Sequence, residues 1–238
     1  MSLSTWSPLD RYLDGFDRIR VGTPGNGEIL ALQPVLTMRK FAALVGRLLD
    51  ELAIERADVL GLSFGGMVTQ QFAHDMPTRV RRLVLASTSC GLGGAPSNLA
   101  SWWNAMLADM RLTSEWGPRW LADQWSHLMM REFGARWASG PRLSGFAEQM
   151  VAASLWSSMA WLSQLTQQTP LITGTADALV PSANASILAS RIPRAQIYCV
   201  HGGGHLCLLD RAGEVGPVIA AFLRPLDATA IDKAAEFG

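Results

Sequence analysis

Apolar and polar positions along the chain alternate between two periods. From Thr37, a residue suited to cap a helix, the apolar residues Phe41, Leu44, Val45, Leu48, Leu49 and Leu52 recur at i, i+3, i+4, i+7, i+8 and i+11. That spacing predicts one apolar helix face. Ala57 to Leu62 reads as a strand and runs directly into Ser63-Phe64-Gly65-Gly66, where an apolar helix begins and continues to about His74, with Pro77 closing it. Arg82 to Ser87 is a continuous apolar strand, the pattern of a parallel sheet covered on both faces. A short strand is also predicted over Arg18 to Val21, before a turn at Pro24-Gly25-Asn26-Gly27.

Between residues 90 and 168 the pattern changes. Helical stretches carry eight of the nine tryptophans, namely Trp102, Trp103, Trp116, Trp120, Trp125, Trp137, Trp156 and Trp161. After this insert the alternation returns, with strands at Leu171 to Thr173 and Gln196 to Val200 and helices at Ala183 to Ser190 and Val215 to Leu223. The tail after Pro225 reads as a loosely held terminus. Such alternation predicts an α/β fold with a doubly wound, mostly parallel sheet. The expected division is a core of residues 1–89 and 169–238 and a helical, tryptophan-rich lid over 90–168.

Composition narrows the function without naming it. The chain has 238 residues, of which 49% are apolar and 17% charged, and a formal net charge of zero. One core-rich domain is expected, with no electrostatic pull toward nucleic acid or an acidic membrane face. Three cysteines, Cys90, Cys199 and Cys207, form no CxxC pair, so neither a disulfide framework nor a zinc site is expected. No secretory pattern opens the sequence, and no apolar run approaches the roughly 18 residues of a membrane helix. A cytoplasmic protein is the expectation.

Gly61-Leu62-Ser63-Phe64-Gly65 is a G-x-S-x-G motif between a strand and a helix, where a nucleophile elbow belongs. Gly61 and Gly65 are expected to keep Cβ atoms out of the tight turn. The new helix turns its free N–H groups toward a developing oxyanion. A serine needs a base, and the chain has four histidines. His74 near a helix end reads as a surface or capping residue, and His127 falls inside the insert. His201 and His205 follow the last strand in His201-Gly202-Gly203-Gly204-His205. His205 is favoured as the deeper in the loop, and His201 is expected to be structural. The orienting carboxylate is expected from Asp177, just past the preceding strand; an ordinary turn aspartate is the competing reading. Ser, Asp and His then follow one another in the order that this fold uses.

The run Ala57 to Gly66, continued by Gln70 to Pro77 and Arg82 to Ser87, resembles the α/β-hydrolases. Within that superfamily, Ser190 to Ile197, Gly204-His205-Leu206 and Trp156 to Gln168 resemble the intracellular depolymerases of medium-chain-length polyhydroxyalkanoates. The resemblance implies Ser63 as nucleophile, Asp177 as acid, His205 as base and the Phe64 backbone N–H as oxyanion donor. It implies no metal or organic cofactor. The expected activity is hydrolysis of a carboxylic ester, preferably an aliphatic hydroxyalkanoate oligomer or polymer. A general carboxylesterase or lipase and a cofactor-free haloperoxidase-like enzyme share these residues. A non-catalytic scaffold is the rival of another class.

The sequence also departs from that family. Hydrolases of this type carry early strands and a His-Gly loop that gives a second oxyanion N–H, and neither is found here. Gly22 stands where aspartate is usual, and Ile29 where serine is frequent. The expectation is an N-terminally truncated hydrolase fold, from a start placed too late or a true truncation. In the insert, Trp102, Trp103, Trp156 and Trp161 are the candidates for an apolar channel above Ser63, beside the simpler reading of tryptophans packing the insert's own core. A lipid-coated storage granule is a further surface on which such an insert could rest.

Overall fold

The computed structural model describes residues 6–22, 37–96 and 143–224. In chain order these form α1 (Ser7–Asp10), α2 (Met38–Glu51), β1 (Ala57–Leu62), α3 (Phe64–Asp75), β2 (Val80–Ala86), α4 (Leu143–Ser154), β3 (Thr169–Gly174), α5 (Ala183–Ala189), β4 (Ala195–Val200), α6 (Cys207–Asp210) and α7 (Ala212–Leu223). The turn at Pro24 to Gly27, Ile29, His127, the tail from Pro225, and Trp102, Trp103, Trp116, Trp120, Trp125 and Trp137 lie outside the described residues.

The four strands form one parallel sheet in the order β1-β2-β3-β4. Alternate strand residues serve opposite faces, and both faces are covered. Leu83, Leu85 and Leu171 pack with Ala42 and Leu49 of α2, Phe72 and Ala73 of α3 and Leu188 of α5. Val84, Ala86, Ile172 and Val200 pack with Leu9 of α1, Leu208 of α6 and Val215, Ile219 and Leu223 of α7. Burial on both sides is why β2 is a solid apolar run. Helix α2 starts as its sequence dictates. Thr37 caps it, its hydroxyl oxygen accepting from the Lys40 N–H at 3.4 Å, and Met38, Phe41, Ala42 and Leu49 are buried.

Two elements differ from the sequence pattern. Arg18 to Val21 forms no strand. Arg18 and Arg20 instead turn back to the carboxylate of Asp10, while Ile19 and Val21 remain 44% and 46% exposed. The alternation there has no sheet face to bury. Helix α7 begins at Ala212, three residues before the expected Val215, and runs through Pro217. Burial of Ala212, Val215, Ile219 and Ala220 offsets the hydrogen bond that the proline cannot donate.

The segment leaving β2 and the segment returning to β3 are tied together. Gly91 and Ser157 form an antiparallel bridge, Leu92 N donates to Trp156 O at 2.9 Å, and Ser158 N donates to Cys90 O at 2.9 Å. Among the described residues no helix is long and apolar enough to cross a membrane.

Candidate active site

Ser63 occupies the corner between β1 and α3 with φ 54° and ψ −122°, a left-handed conformation that L residues avoid. Four hydrogen bonds hold it there. Its N–H donates to Ala86 O on β2 at 2.9 Å, and its own carbonyl accepts from Gly66 N at 2.8 Å, from Met67 N at 3.4 Å and from the Thr88 hydroxyl at 2.8 Å. The corner also needs close approach. A Cβ on Gly61 would lie 2.5 Å from both Gly65 O and Thr69 Oγ1. A Cβ on Gly65 would meet nothing within 4 Å, so the expected steric role belongs to Gly61 and not to Gly65. The second tight position is Gly66, where a Cβ would stand 2.5 Å from the Thr88 side chain.

His205 is delivered by the loop after β4. That loop is clasped to the loop after β3: Ala176 N donates to Gly203 O at 2.9 Å, and Gly202 N to Thr175 Oγ1 at 2.9 Å. The approach is so close that a Cβ on Gly174 would lie 2.2 Å from Gly203 O. The imidazole then bridges two partners, with Nε2 2.9 Å from Ser63 Oγ and Nδ1 2.9 Å from Asp177 Oδ2. An ionised carboxylate only accepts, so Nδ1 carries the proton and donates to Asp177. In the neutral ring Nε2 is then free to accept from the Ser63 hydroxyl.

Asp177 satisfies both readings of its position at once. Oδ1 accepts from Leu179 N at 2.9 Å and Val180 N at 2.8 Å, an Asx-type turn. Oδ2 is left for the histidine. The Asp177 side chain is fully buried, and that of His205 is 11% exposed. A buried carboxylate with every partner in place orients the ring firmly. Phe64 is the first residue of α3, so helix geometry leaves its N–H without a partner within the helix.

His201 is exposed at the end of β4. His74 stacks on Trp161 with ring centroids 4.3 Å apart, and its Nδ1 lies 2.9 Å from Asp75 Oδ1. Trp156 is buried against Met38, Phe41 and Val68, and its indole N–H donates to Gln71 Oε1 at 2.7 Å. Gln71 lies on α3 about 12 Å along the axis from Ser63, at 1.5 Å per residue. Trp156 packs beside Val68 and Gln71 of α3, and Trp161 beside His74 of the same helix. Trp102 and Trp103 lie outside the described residues. Cys207, behind the site, has its Sγ 3.8 Å from Ser87 Oγ, and burial pushes its thiol up to about 11. Among the described residues, no three His, Cys, Asp or Glu side chains are grouped to share a metal ion.

The model of the alpha/beta hydrolase family matches residues 3–217. The chain belongs to the alpha/beta hydrolases. A poly(3-hydroxyalkanoate) depolymerase of Ectopseudomonas oleovorans is 35% identical over 199 residues, covering 77% of this chain. The alignment takes in 66% of the depolymerase, so this hydrolase spans just under two thirds of that relative's length. A pimeloyl-[acyl-carrier protein] methyl ester esterase of Aromatoleum aromaticum is 30% identical over 245 residues, 92% of each chain. Among solved structures, a hydrolase from Pseudomonas aeruginosa superposes with a TM-score of 0.76 at 25% identity, covering 94% of this hydrolase and 86% of that chain.

The sequence singled out neither Gly66, Gly174 nor Thr88. All three matter through contacts with residues far along the chain, and no local motif marks them.

Proposed function

We propose that this hydrolase cleaves carboxylic esters through an acyl-enzyme, with aliphatic hydroxyalkanoate esters as its substrate class. The observation that carries the reading is His205, hydrogen-bonded at 2.9 Å to Ser63 Oγ on one side and to a buried Asp177 oxygen on the other. As the Ser63 oxygen attacks the ester carbonyl, its proton passes to His205 Nε2. Asp177 stabilises the resulting imidazolium and remains ionised. The Phe64 N–H receives the developing oxyanion at the N-terminus of α3. His205 then returns the proton to the departing alcohol, and a water activated by the same nitrogen releases the acid and restores the serine.

Both relatives described above bear names of ester-cleaving enzymes, and the depolymerase similarity favours a hydroxyalkanoate acyl group. In this reading the chain works in the cytoplasm without a cofactor. A polymer substrate would bring the enzyme to a granule surface.

The test is fluorophosphonate labelling of the purified chain beside Ser63→Ala and His205→Ala, followed by hydrolysis of p-nitrophenyl esters of increasing acyl length and of 3-hydroxyalkanoate oligomers. Labelling lost in both variants, with turnover rising toward medium acyl chains and oligomers, is expected. A folded chain that does not label refutes the activity. Labelling with preference for acetyl esters removes the hydroxyalkanoate assignment and leaves a general esterase.

A further inference from the structure

The geometry points to Thr88 as a positioning residue that aims the oxyanion donor. The inference rests on the ester-hydrolase reading. Thr88 is 5% exposed, and its hydroxyl donates to the Ser63 carbonyl oxygen at 2.8 Å. That oxygen belongs to the peptide unit whose N–H is that of Phe64. A trans peptide is planar, and its C=O and N–H point in opposite directions. Whatever fixes the Ser63 oxygen therefore fixes the direction of the Phe64 N–H.

The Gly66 and Met67 N–H groups also reach the Ser63 oxygen, at 2.8 and 3.4 Å, but both belong to the first turn of α3 and move with the helix. Thr88 comes from the segment after β2, a separate element, and so anchors the peptide to the sheet. Its own position is tightly bounded. The Cβ, Oγ1 and Cγ2 atoms of Thr88 lie 2.5, 2.6 and 2.7 Å from where a Cβ on Gly66 would stand, so only glycine there lets it approach. Ser63, at φ 54°, is in a conformation that persists only where its surroundings hold it. A donor on the carbonyl oxygen also polarises the peptide and makes its N–H a better donor.

The experiment compares Thr88→Val, which keeps the branched shape and removes the hydroxyl, with Thr88→Ser, which keeps the hydroxyl. Turnover of p-nitrophenyl butyrate is measured beside inhibition by a trifluoromethyl ketone, whose adduct with Ser63 carries an oxyanion. Thr88→Val is expected to lower kcat about tenfold, less than the roughly 100- to 1000-fold lost when a donor is removed outright. The ketone should weaken by a similar factor, with KM unchanged and Thr88→Ser close to the parent. An unaltered kcat in Thr88→Val overturns the proposal, as does a loss that Thr88→Ser fails to restore or one that leaves ketone affinity untouched. A readout free of turnover is the amide 15N resonance of Phe64. It should move in Thr88→Val and stay near its parent position in Thr88→Ser, and an unmoved resonance overturns the proposal even in an inactive chain. A parent chain that neither labels nor turns over refutes the ester-hydrolase reading and with it the catalytic meaning of Thr88, while the resonance still decides whether Thr88 sets the peptide.

Discussion

Alanine at Gly61 and alanine at Gly65 should move the melting temperature differently, although the two glycines flank the same serine. At Gly61 the new Cβ would stand 2.5 Å from the Gly65 carbonyl oxygen and 2.5 Å from Thr69 Oγ1. The first obstacle is backbone. The second is a hydroxyl already bonded to Gly66 O at 3.0 Å, so it cannot turn aside without losing that bond. Gly61 is also laddered to Leu85 on the neighbouring strand and cannot retreat. Relief requires α3 to lift off β1, which places the cost in the upper half of the ~1–3 kcal/mol typical of overpacking. In a chain of 238 residues, each kcal/mol shifts the midpoint by about 2–4 °C. Gly61→Ala should therefore melt about 4–12 °C below the parent. At Gly65 nothing lies within 4 Å of the added methyl, and the residue is helical. Replacing a helical glycine gains up to about 1 kcal/mol, so Gly65→Ala should melt at the parent temperature or up to about 4 °C above it. Circular dichroism melts at one scan rate measure both. Equal losses in the two variants would refute the reasoning, and so would a Gly61→Ala chain that melts with the parent.

Three further outcomes follow from the same contacts. Asp177→Asn keeps an oxygen for the Leu179 and Val180 N–H groups but presents an NH2 to His205 Nδ1, forcing the tautomer that cannot accept from Ser63. Ester kcat should fall about 10⁴-fold with little change in melting temperature, and a chain that keeps most of its turnover would remove Asp177 from the mechanism. Trp156→Phe strands the buried Gln71 Oε1 and should cost about 1–3 kcal/mol in urea denaturation; acyl-length preference should not move, and a changed preference would place Trp156 at the substrate channel. Native thiol titration at neutral pH should modify the exposed Cys199, with Cys90 and Cys207 reacting only after unfolding. Because burial raises the folded Cys207 thiol from 9.0 to about 11, its stabilising contribution is complete below pH 9 and is lost as pH rises toward 11. Urea midpoints at the two ends of that window should differ less in Cys207→Ala than in the parent, and equal differences would refute the assignment.

The elements that the sequence predicted well are those whose signal is local. β2 and β3 are apolar runs because helices cover both faces of the sheet there, and α2 announces itself by a capping threonine and a 3.6-residue stripe. The short Arg18 to Val21 pattern misled because alternation predicts a strand only where a sheet edge receives it. Trp156 and Trp161 were ambiguous for another reason. A large aromatic ring serves a core and a channel equally well, and no local signal marks its partners. Those partners, Gln71 and His74, come from more than eighty residues earlier in the chain.

The choice between His201 and His205 shows where the remaining information lies. Both follow the same strand, and residue type alone cannot separate them. The separation comes from Gly174, whose missing side chain lets Gly203 O close on it, while Ala176 N takes that same oxygen as acceptor. This contact folds the loop back over the end of β3. His201, before the fold, is left in solvent, and His205, beyond it, is carried onto Asp177. Gly61 and Gly66 act on the serine in the same way, by allowing α3 to settle on β1 and Thr88 to reach the Ser63 carbonyl. The candidate catalytic side chains are thus legible as types in an order, whereas their alignment depends on three glycines whose importance appears only when the neighbouring segments are in place.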